Sequence, residues 1–288
     1  MVFRIFLVLI LFISNIDLLL STTIEIKGKQ LFVNGDPFVI RGVCYGPVPV
    51  GKTISTYNWW EDPSMYSIDF PMIKAMGANC IRTYSVVTLK AALDAAYQNG
   101  LYVIMEYPIP WNTAYSNNTT IRTQVFNQVY DMVSKWKDHP AILMWCLGHE
   151  VNYNINVVAG DLQTDATCTN RLDDWYPFLN EVAGKVHEWE TPYWHPVTTG
   201  SGCFDSINMG IWRDAWHYGM DNLGNPLFNA QDAKMPNLDC WGLQTYNGPG
   251  FSPGYFEKYA AQSSKPMWIA ETGCDTWNSM ANVENQDI

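Results

Sequence analysis

Short apolar runs alternate with longer stretches of helical periodicity along most of the chain. The predicted strands are Phe38–Tyr45, Cys80–Tyr84, Tyr102–Tyr107, Ile142–Leu147, Val197–Gly200, Cys240–Tyr246 and Met267–Ala270. The predicted helices between them are Ile68–Met76, Leu89–Asn99, Arg122–Trp136, Leu172–Glu190 and Tyr255–Ser263. Strands that alternate with helices predict a parallel sheet. Because the runs are almost continuously apolar, we expect strands that are buried on both faces.

A closed barrel and an open doubly wound sheet would both give this alternation. The doubly wound fold usually carries a Gly-rich phosphate turn after an early strand. Here Gly46-Pro47-Val48-Pro49 follows the first run, and no GxGxxG or GxxxxGK[ST] pattern occurs. The length suits one (β/α)₈ barrel of about 250 residues. We therefore predict an α/β fold of the TIM-barrel type, with a hairpin of Ile24–Ile26 and Leu31–Val33 across its bottom.

The predicted barrel is incomplete at its C-terminal end, where the eighth strand is not visible. The segment Ser279–Ile288 is polar and has no strand pattern. Either the sequence is truncated or the barrel is open. Truncation is the favoured alternative, because an open barrel would expose a strand edge.

The N-terminal residues have the pattern of a secretory leader. Arg4 precedes the apolar run Ile5–Ile13, and small hydroxyl residues follow from Ser21. We predict a signal peptide over residues 1–22 and a single domain over residues 23–288. The apolar run is too short for stable insertion into a bilayer, although an uncleaved anchor is the alternative. The expected location is therefore extracellular.

Charge and cysteine usage narrow the class of protein further. A net charge of −11 argues against a nucleic-acid partner, because phosphates need basic surface. The overlapping sequons at Asn117 and Asn118 fit a secreted glycoprotein. We expect Cys168 and Cys203, in polar sequence, to be the best candidates for a disulfide. The cysteines within apolar runs are expected to be buried thiols: Cys44, Cys80, Cys146 and Cys240.

Two glutamates stand where predicted strands end. Glu150 follows the fourth run and Glu271 follows the seventh. Catalytic groups of TIM barrels lie at this carboxyl end of the strands. Cleavage of a glycosidic bond needs two carboxyl groups, one protonated and one ionised. The pair therefore predicts glycosidase chemistry, whereas either glutamate alone could be a solvated loop residue.

The same segments resemble clan A glycoside hydrolases. Gly148-His149-Glu150 is similar to the acid/base motif of that clan, and Glu271-Thr-Gly to its nucleophile motif. The segment 32–43 resembles the catalytic domains of family 2 enzymes and of the family 72 fungal-wall β-1,3-glucanosyltransferases. The segment 69–84 is especially similar to the second βα unit of family 72. The resemblance implies a retaining TIM-barrel catalytic domain, with Glu150 as acid/base and Glu271 as nucleophile.

The resemblance also implies roles for residues around the two glutamates. Arg82 matches the arginine that keeps the nucleophile ionised, and Tyr246 matches the tyrosine that hydrogen-bonds it. His149 stands where most members carry the Asn that binds the sugar 2-hydroxyl. Tyr84 and Trp277 complete the expected substrate-binding set, since aromatic planes pack on sugar rings.

The leading functional hypothesis is a retaining hydrolase of O-glycosyl compounds that acts on an oligo- or polysaccharide. The alternatives are a glucanosyltransferase of the cell-wall type and a non-catalytic carbohydrate-binding barrel. Glu106 is a rival carboxylate at the same end of the barrel. No cofactor and no metal are expected, since Tyr153 replaces the second histidine that the zinc motif HExxH would need. A GxSxG turn for serine chemistry is also absent.

Overall fold

The computed structural model describes residues 22–53, 55–157, 166–203, 232–245, 251, 253–261, 263–273, 277–278 and 283–284. A three-stranded antiparallel sheet comes first, formed by β1 (Ile24–Lys27), β2 (Gln30–Val33) and β3 (Asp36–Phe38). Asn34 and Gly35 both adopt positive φ in the tight turn between β2 and β3. The predicted hairpin is present, and it has a third strand.

The second sheet contains seven parallel strands in their sequence order, with helices between them. The elements are β4 (Gly42–Tyr45), α1 (Pro63–Ala75), β5 (Cys80–Thr83), α2 (Lys90–Gln98), β6 (Tyr102–Tyr107), α3 (Thr119–Trp136), β7 (Ile142–His149), α4 (Val151–Val157), α5 (Ala166–Glu190), β8 (Val197–Cys203), β9 (Trp241–Thr245), α6 (Tyr255–Ala260) and β10 (Met267–Glu271). A short hairpin of β11 (Trp277–Asn278) and β12 (Val283–Glu284) follows. The expected fold, an incomplete TIM-type barrel, is confirmed.

The barrel is open between β4 and β10, which are the two edges of the sheet. Within the part of the chain that the structure describes, no eighth strand joins this sheet. A hydrogen bond of 3.3 Å from Cys44 Sγ to the carbonyl oxygen of Ala270 links the two edge strands. The expectation that Cys44 is buried is wrong, because the thiol lies on an edge strand and is exposed.

Burial explains why the strands are apolar on both faces. Residues Ile142–Leu147 of β7 are all buried, with helices on one side and the barrel interior on the other. Helix α3 contributes a stripe of helical spacing that includes Val125, Val129, Met132 and Trp136. The Nε1 atom of Trp136 donates to the carbonyl oxygen of Val87 at 2.9 Å, so this large ring is buried with its polar atom bonded.

The two sequons differ in the structure. Asn118 is the N-cap of α3, since its side-chain oxygen accepts a hydrogen bond from the Ile121 amide at 3.1 Å. Its amide nitrogen donates to Thr113 Oγ1 at 3.0 Å, whereas the side chain of Asn117 is exposed. Glycosylation stays a prediction, and Asn117 is the more accessible of the two acceptors.

Several expectations fall on parts of the chain outside the described residues. These include the predicted leader up to Ser21, the side chains of Cys168 and Cys203, and the whole of Tyr246. The signal peptide and the disulfide therefore stay predictions. Within the described ranges, every helix is too short or too polar to cross a bilayer.

Candidate active site

The carboxyl ends of five strands bring together the polar residues of the barrel mouth. Glu271 ends β10, Glu150 directly follows β7, and Arg82 lies near the end of β5. Glu106 is in β6 and Gln244 is in β9. Because all seven strands are parallel, these ends meet on one side of the barrel, where TIM-barrel enzymes have their active sites.

Arg82 occupies the centre of this group. Its Nη1 atom donates to Glu271 Oε1 and its Nη2 atom donates to Glu106 Oε2, and all three side chains are buried. Burial lowers the pKa of Arg82, but the charges of Glu106 and Glu271 outweigh burial and raise that pKa above its usual range. The guanidinium therefore stays charged between two carboxylates. Gly200 leaves it room, since a Cβ atom there would lie 2.8 Å from Nη2.

Glu271 is held in place by contacts from three strands. Gln244 Nε2 donates to Glu271 Oε1 at 2.8 Å, in addition to the bond from Arg82. His149 Nδ1, at the end of β7, lies 3.9 Å from the same oxygen. Donors that converge on one oxygen hold a carboxyl group in one orientation. A carboxylate oriented in this way can act as a nucleophile.

Glu150 adopts a backbone conformation that residues with a side chain rarely use, with φ of 47°. Its amide donates to the carbonyl oxygen of Gly200, and its own carbonyl accepts from the Asn154 amide, both at 2.8 Å. These bonds join β7, β8 and α4 around the residue. Gly148, two positions earlier, also has positive φ, and a Cβ atom there would meet the Trp175 ring at 3.0 Å. Such strain is typical of functional sites.

The electrostatic surroundings of Glu150 favour its protonated form. Burial raises the pKa of Glu150, the nearby His149 opposes this effect, and the charge of Glu271 raises the pKa further. Glu150 and Glu271 are thus close enough to interact electrostatically. A carboxyl group with a raised pKa can serve as the proton donor in glycoside cleavage.

His149 lies between Glu106 and Tyr84. Its Nδ1 atom is 3.2 Å from Glu106 Oε1 and 3.2 Å from Arg82 Nη2. The Tyr84 ring meets the imidazole edge-on at 5.5 Å between centroids, and the Arg82 guanidinium lies over the same tyrosine ring at 5.3 Å. Burial lowers the pKa of His149, but Glu106 outweighs burial, and the net shift is upward.

Two of the cavities that the described residues line are at opposite ends of the barrel. The first, of about 430 Å³, adjoins Tyr84 and is lined by the loops after β4 and β5 with Tyr57, Asn58, Trp59 and several hydroxyl residues. The second, of about 320 Å³, is mainly apolar and lies between the hairpin sheet and the amino end of β10. Only the first is next to the polar residues described above, and its aromatic and hydroxyl lining suits a sugar.

The structure brings together Arg82, Tyr84, His149, Glu150 and Glu271 from the expected set. The other two expected residues cannot be placed at the barrel mouth. Tyr246 lies outside the described residues, and Trp277 is described only through its backbone in β11. The described ranges contain no cluster of three or more His, Cys, Asp or Glu side chains suited to a metal ion.

Sequence reasoning missed Gln244 and the contacts of Glu106. Gln244 is a polar residue inside the apolar run that forms β9, and this position could have marked it as part of the site. Glu106 was noted as a carboxylate, but the local pattern does not show that it lies against both Arg82 and His149.

Comparisons with known proteins identify a family for the chain. The profile of a family described as Glucanosyltransferase, glycoside hydrolase family 72, matches residues 17–166, which is just over half of the chain. The chain is 22% identical to the 1,3-beta-glucanosyltransferase GAS5 of Saccharomyces cerevisiae, over 88% of this chain and 50% of the yeast protein. It is 31% identical to the 1,3-beta-glucanosyltransferase gel2 of Aspergillus fumigatus, over 44% of this chain and 29% of the relative.

Solved structures give the same fold. A beta-glucuronidase of Bacteroides uniformis superposes with a TM-score of 0.62 at 21% identity, over 88% of this chain and 27% of that one. The chain spans about half the length of the first yeast relatives that it matches.

Proposed function

The chain belongs to the glucanosyltransferase family, glycoside hydrolase family 72, and from this premise we propose that it cleaves a β-linked glucan with retention and transfers the glycosyl group to a second sugar. The observation that carries the proposal is the pair of glutamates at one end of the barrel. Glu271 is bonded to a guanidinium, and the pKa of Glu150 is raised by burial and by Glu271. A retaining glycosidase needs one carboxyl group that can donate a proton and a second one that is held in place to attack the sugar.

In the first step, the Glu271 carboxylate attacks the anomeric carbon of the sugar. Glu150 donates its proton to the glycosidic oxygen, so the bond to the leaving sugar breaks and a covalent glycosyl ester forms on Glu271. Arg82 and Gln244 hold the attacking carboxylate in one orientation. Because the reacting groups are already oriented, less entropy is lost on reaching the transition state.

In the second step, the ionised Glu150 takes a proton from the hydroxyl of an incoming sugar. That oxygen attacks the anomeric carbon, the ester to Glu271 breaks, and the β-configuration is restored. Water in place of the sugar would give hydrolysis. Membership of a family of glucanosyltransferases supports the sugar as acceptor.

Product analysis tests the choice of acceptor. Incubation with a defined β-1,3-gluco-oligosaccharide should yield, by mass spectrometry, oligosaccharides longer than the donor. Products that are all shorter than the donor would assign hydrolysis instead. Binding of the oligosaccharide with no change in its length would leave only a carbohydrate-binding barrel.

Glu150→Gln should slow cleavage of unactivated β-glycosides by about 10²–10⁴-fold, because the variant has no proton to give to the leaving oxygen. Formation of the glycosyl-enzyme from dinitrophenyl glycosides should change far less, since dinitrophenolate leaves without protonation. Rapid-mixing measurement of the first step with both substrates checks this. Equal losses on both substrates would contradict the acid role.

The same variant should change the pH profile. Activity needs protonated Glu150, so it falls as the pH rises through the pKa of that group. Because burial and Glu271 raise this pKa above 4.5, the alkaline limb should extend upward, and Glu150→Gln should remove it. An unchanged alkaline limb in the variant would assign it to another group.

We extend the proposal to the whole chain. Residues 1–22 act as a secretory signal peptide, and residues 23–288 form the catalytic domain. The protein is secreted, and the polysaccharide that it acts on is extracellular. N-terminal sequencing of the secreted protein tests this arrangement. The mature chain should begin at a residue between 22 and 24.

A further inference from the structure

We propose that Glu106 is a positioning residue that, together with Glu271, keeps His149 doubly protonated, so that Nδ1–H faces Glu106 and Nε2–H is a charge-assisted donor to the sugar beside Glu271. This inference rests on the proposed function, because it names a further participant at the same site. It concerns the position at which this chain has His149 where the clan usually has Asn.

The contacts of Nδ1 decide whether that atom carries a hydrogen. Two groups face it at 3.2 Å, Arg82 Nη2 and Glu106 Oε1. An unprotonated Nδ1 would accept from the guanidinium but would direct its lone pair at a carboxylate oxygen. A protonated Nδ1 would donate to that oxygen.

The state of Glu106 Oε1 favours the second arrangement. This oxygen is fully buried, and a proton donated by Nδ1 is the hydrogen bond available to it within the described part of the chain. A buried acceptor without a hydrogen bond destabilises the fold, and more so when it is charged. The other oxygen, Oε2, already accepts from Arg82. Protonation of Nδ1 therefore completes the bonding of both carboxylate oxygens.

The charges that surround the imidazole act in the same direction. Glu106 on β6 and Glu271 on β10 favour a cation, Arg82 on β5 opposes it, and the neutral Tyr84 ring lies edge-on. Glu150, the next residue, favours a cation whenever it is ionised. Two carboxylates in hydrogen-bond or near contact outweigh one guanidinium that is already shared between them.

Protonation at Nδ1 leaves Nε2 as the ring nitrogen available to a ligand. The His149 side chain is 32% exposed at the barrel mouth, and the described residues offer Nε2 no hydrogen-bond partner. A cationic ring presents an N–H donor there, and charge-assisted bonds are roughly twice as strong as neutral ones. Such a donor suits the oxygen of a sugar hydroxyl next to the anomeric carbon, where it fixes the orientation of the sugar.

A double-mutant cycle separates this role from the contact of Glu106 with Arg82. Glu106→Gln alone should lower kcat/KM about fivefold to tenfold more than the same substitution made on top of His149→Asn, because the asparagine needs no charged partner. Thermal unfolding of all three variants shows whether each one folds. Equal losses in the two backgrounds would mean that Glu106 acts only through Arg82, and would overturn the proposal.

Nitrogen-15 spectra of the imidazole rings give a readout that does not depend on activity. The protein has five histidines, and the signals that His149→Asn removes are those of His149. We expect both ring nitrogens of His149 to be protonated at neutral pH, and Nδ1 to lose its proton in Glu106→Gln. An unprotonated Nδ1 or Nε2 in the natural protein would refute the inference even if Glu271 proves to be the nucleophile. A protonated Nδ1 in a protein without turnover would refute the proposed function alone.

Discussion

Glu271→Gln is expected to lower kcat on β-1,3-gluco-oligosaccharides by a factor on the order of 10⁴ or more. The amide is nearly isosteric with the carboxylate and keeps an oxygen for Arg82 and Gln244, but it cannot form the glycosyl ester. The loss should appear in kcat more than in KM, because the substituted group acts on the reacting carbon. Steady-state kinetics on purified, folded protein measures it.

Glu188→Gln is the matched control for this substitution. Glu188 is exposed on α5, where it pairs with Lys185, and its replacement should leave kcat unchanged within about twofold. If Glu271→Gln kept more than a tenth of the natural activity while Glu188→Gln was normal, the covalent mechanism would be wrong.

Arg82→Met should lower the free energy of unfolding by about 3–5 kcal/mol, because it leaves two buried carboxylates without their shared cation. Both ion pairs of Arg82 are almost fully buried, so solvent cannot take over the role of the guanidinium. The variant should also lose most of its activity, since Glu271 loses the donor that orients it. Urea unfolding, followed by tryptophan fluorescence, measures the stability change.

Two further variants make this prediction specific. Lys90→Gln breaks an exposed pair with Asp94 and should cost less than about 1 kcal/mol. Adding Glu106→Gln to Arg82→Met should recover part of the lost stability, because it removes one of the unpaired charges. If Arg82→Met lowered the free energy of unfolding no more than Lys90→Gln does, the two buried ion pairs of Arg82 would contribute no more to stability than an exposed pair.

Local patterns in the sequence were sufficient to predict the strands that carry the site. The bounds of β6 agree with the apolar run Tyr102–Tyr107, and β10 differs from its run by one residue, Glu271. A strand buried on both faces is apolar along its length, so the first charged residue after it marks the carboxyl end. This is why the sequence alone could place Glu150 and Glu271 at the carboxyl ends of their strands.

The contacts between strands could not be predicted in the same way. Arg82 and Glu271 are 189 positions apart, and only the curvature of the sheet brings them together. The exposure of Cys44 depends on which strand is the edge, and the pairing of Glu106 with His149 depends on the register of β6 against β7. Helix α4 was also missed, because seven residues after a strained turn carry too little periodicity to indicate a helix.

Trapping of the glycosyl-enzyme is the most direct test of a covalent intermediate on Glu271. A 2-deoxy-2-fluoro-glucosyl donor with a good leaving group should slow the second step enough for the intermediate to accumulate, and peptide mapping should locate the sugar. We expect a single glycosylated peptide that contains residues 266–273, with the label on Glu271, and no label in Glu271→Gln. A label on Glu150 or Glu106 would contradict it, and so would turnover of the donor with inversion and no labelled peptide.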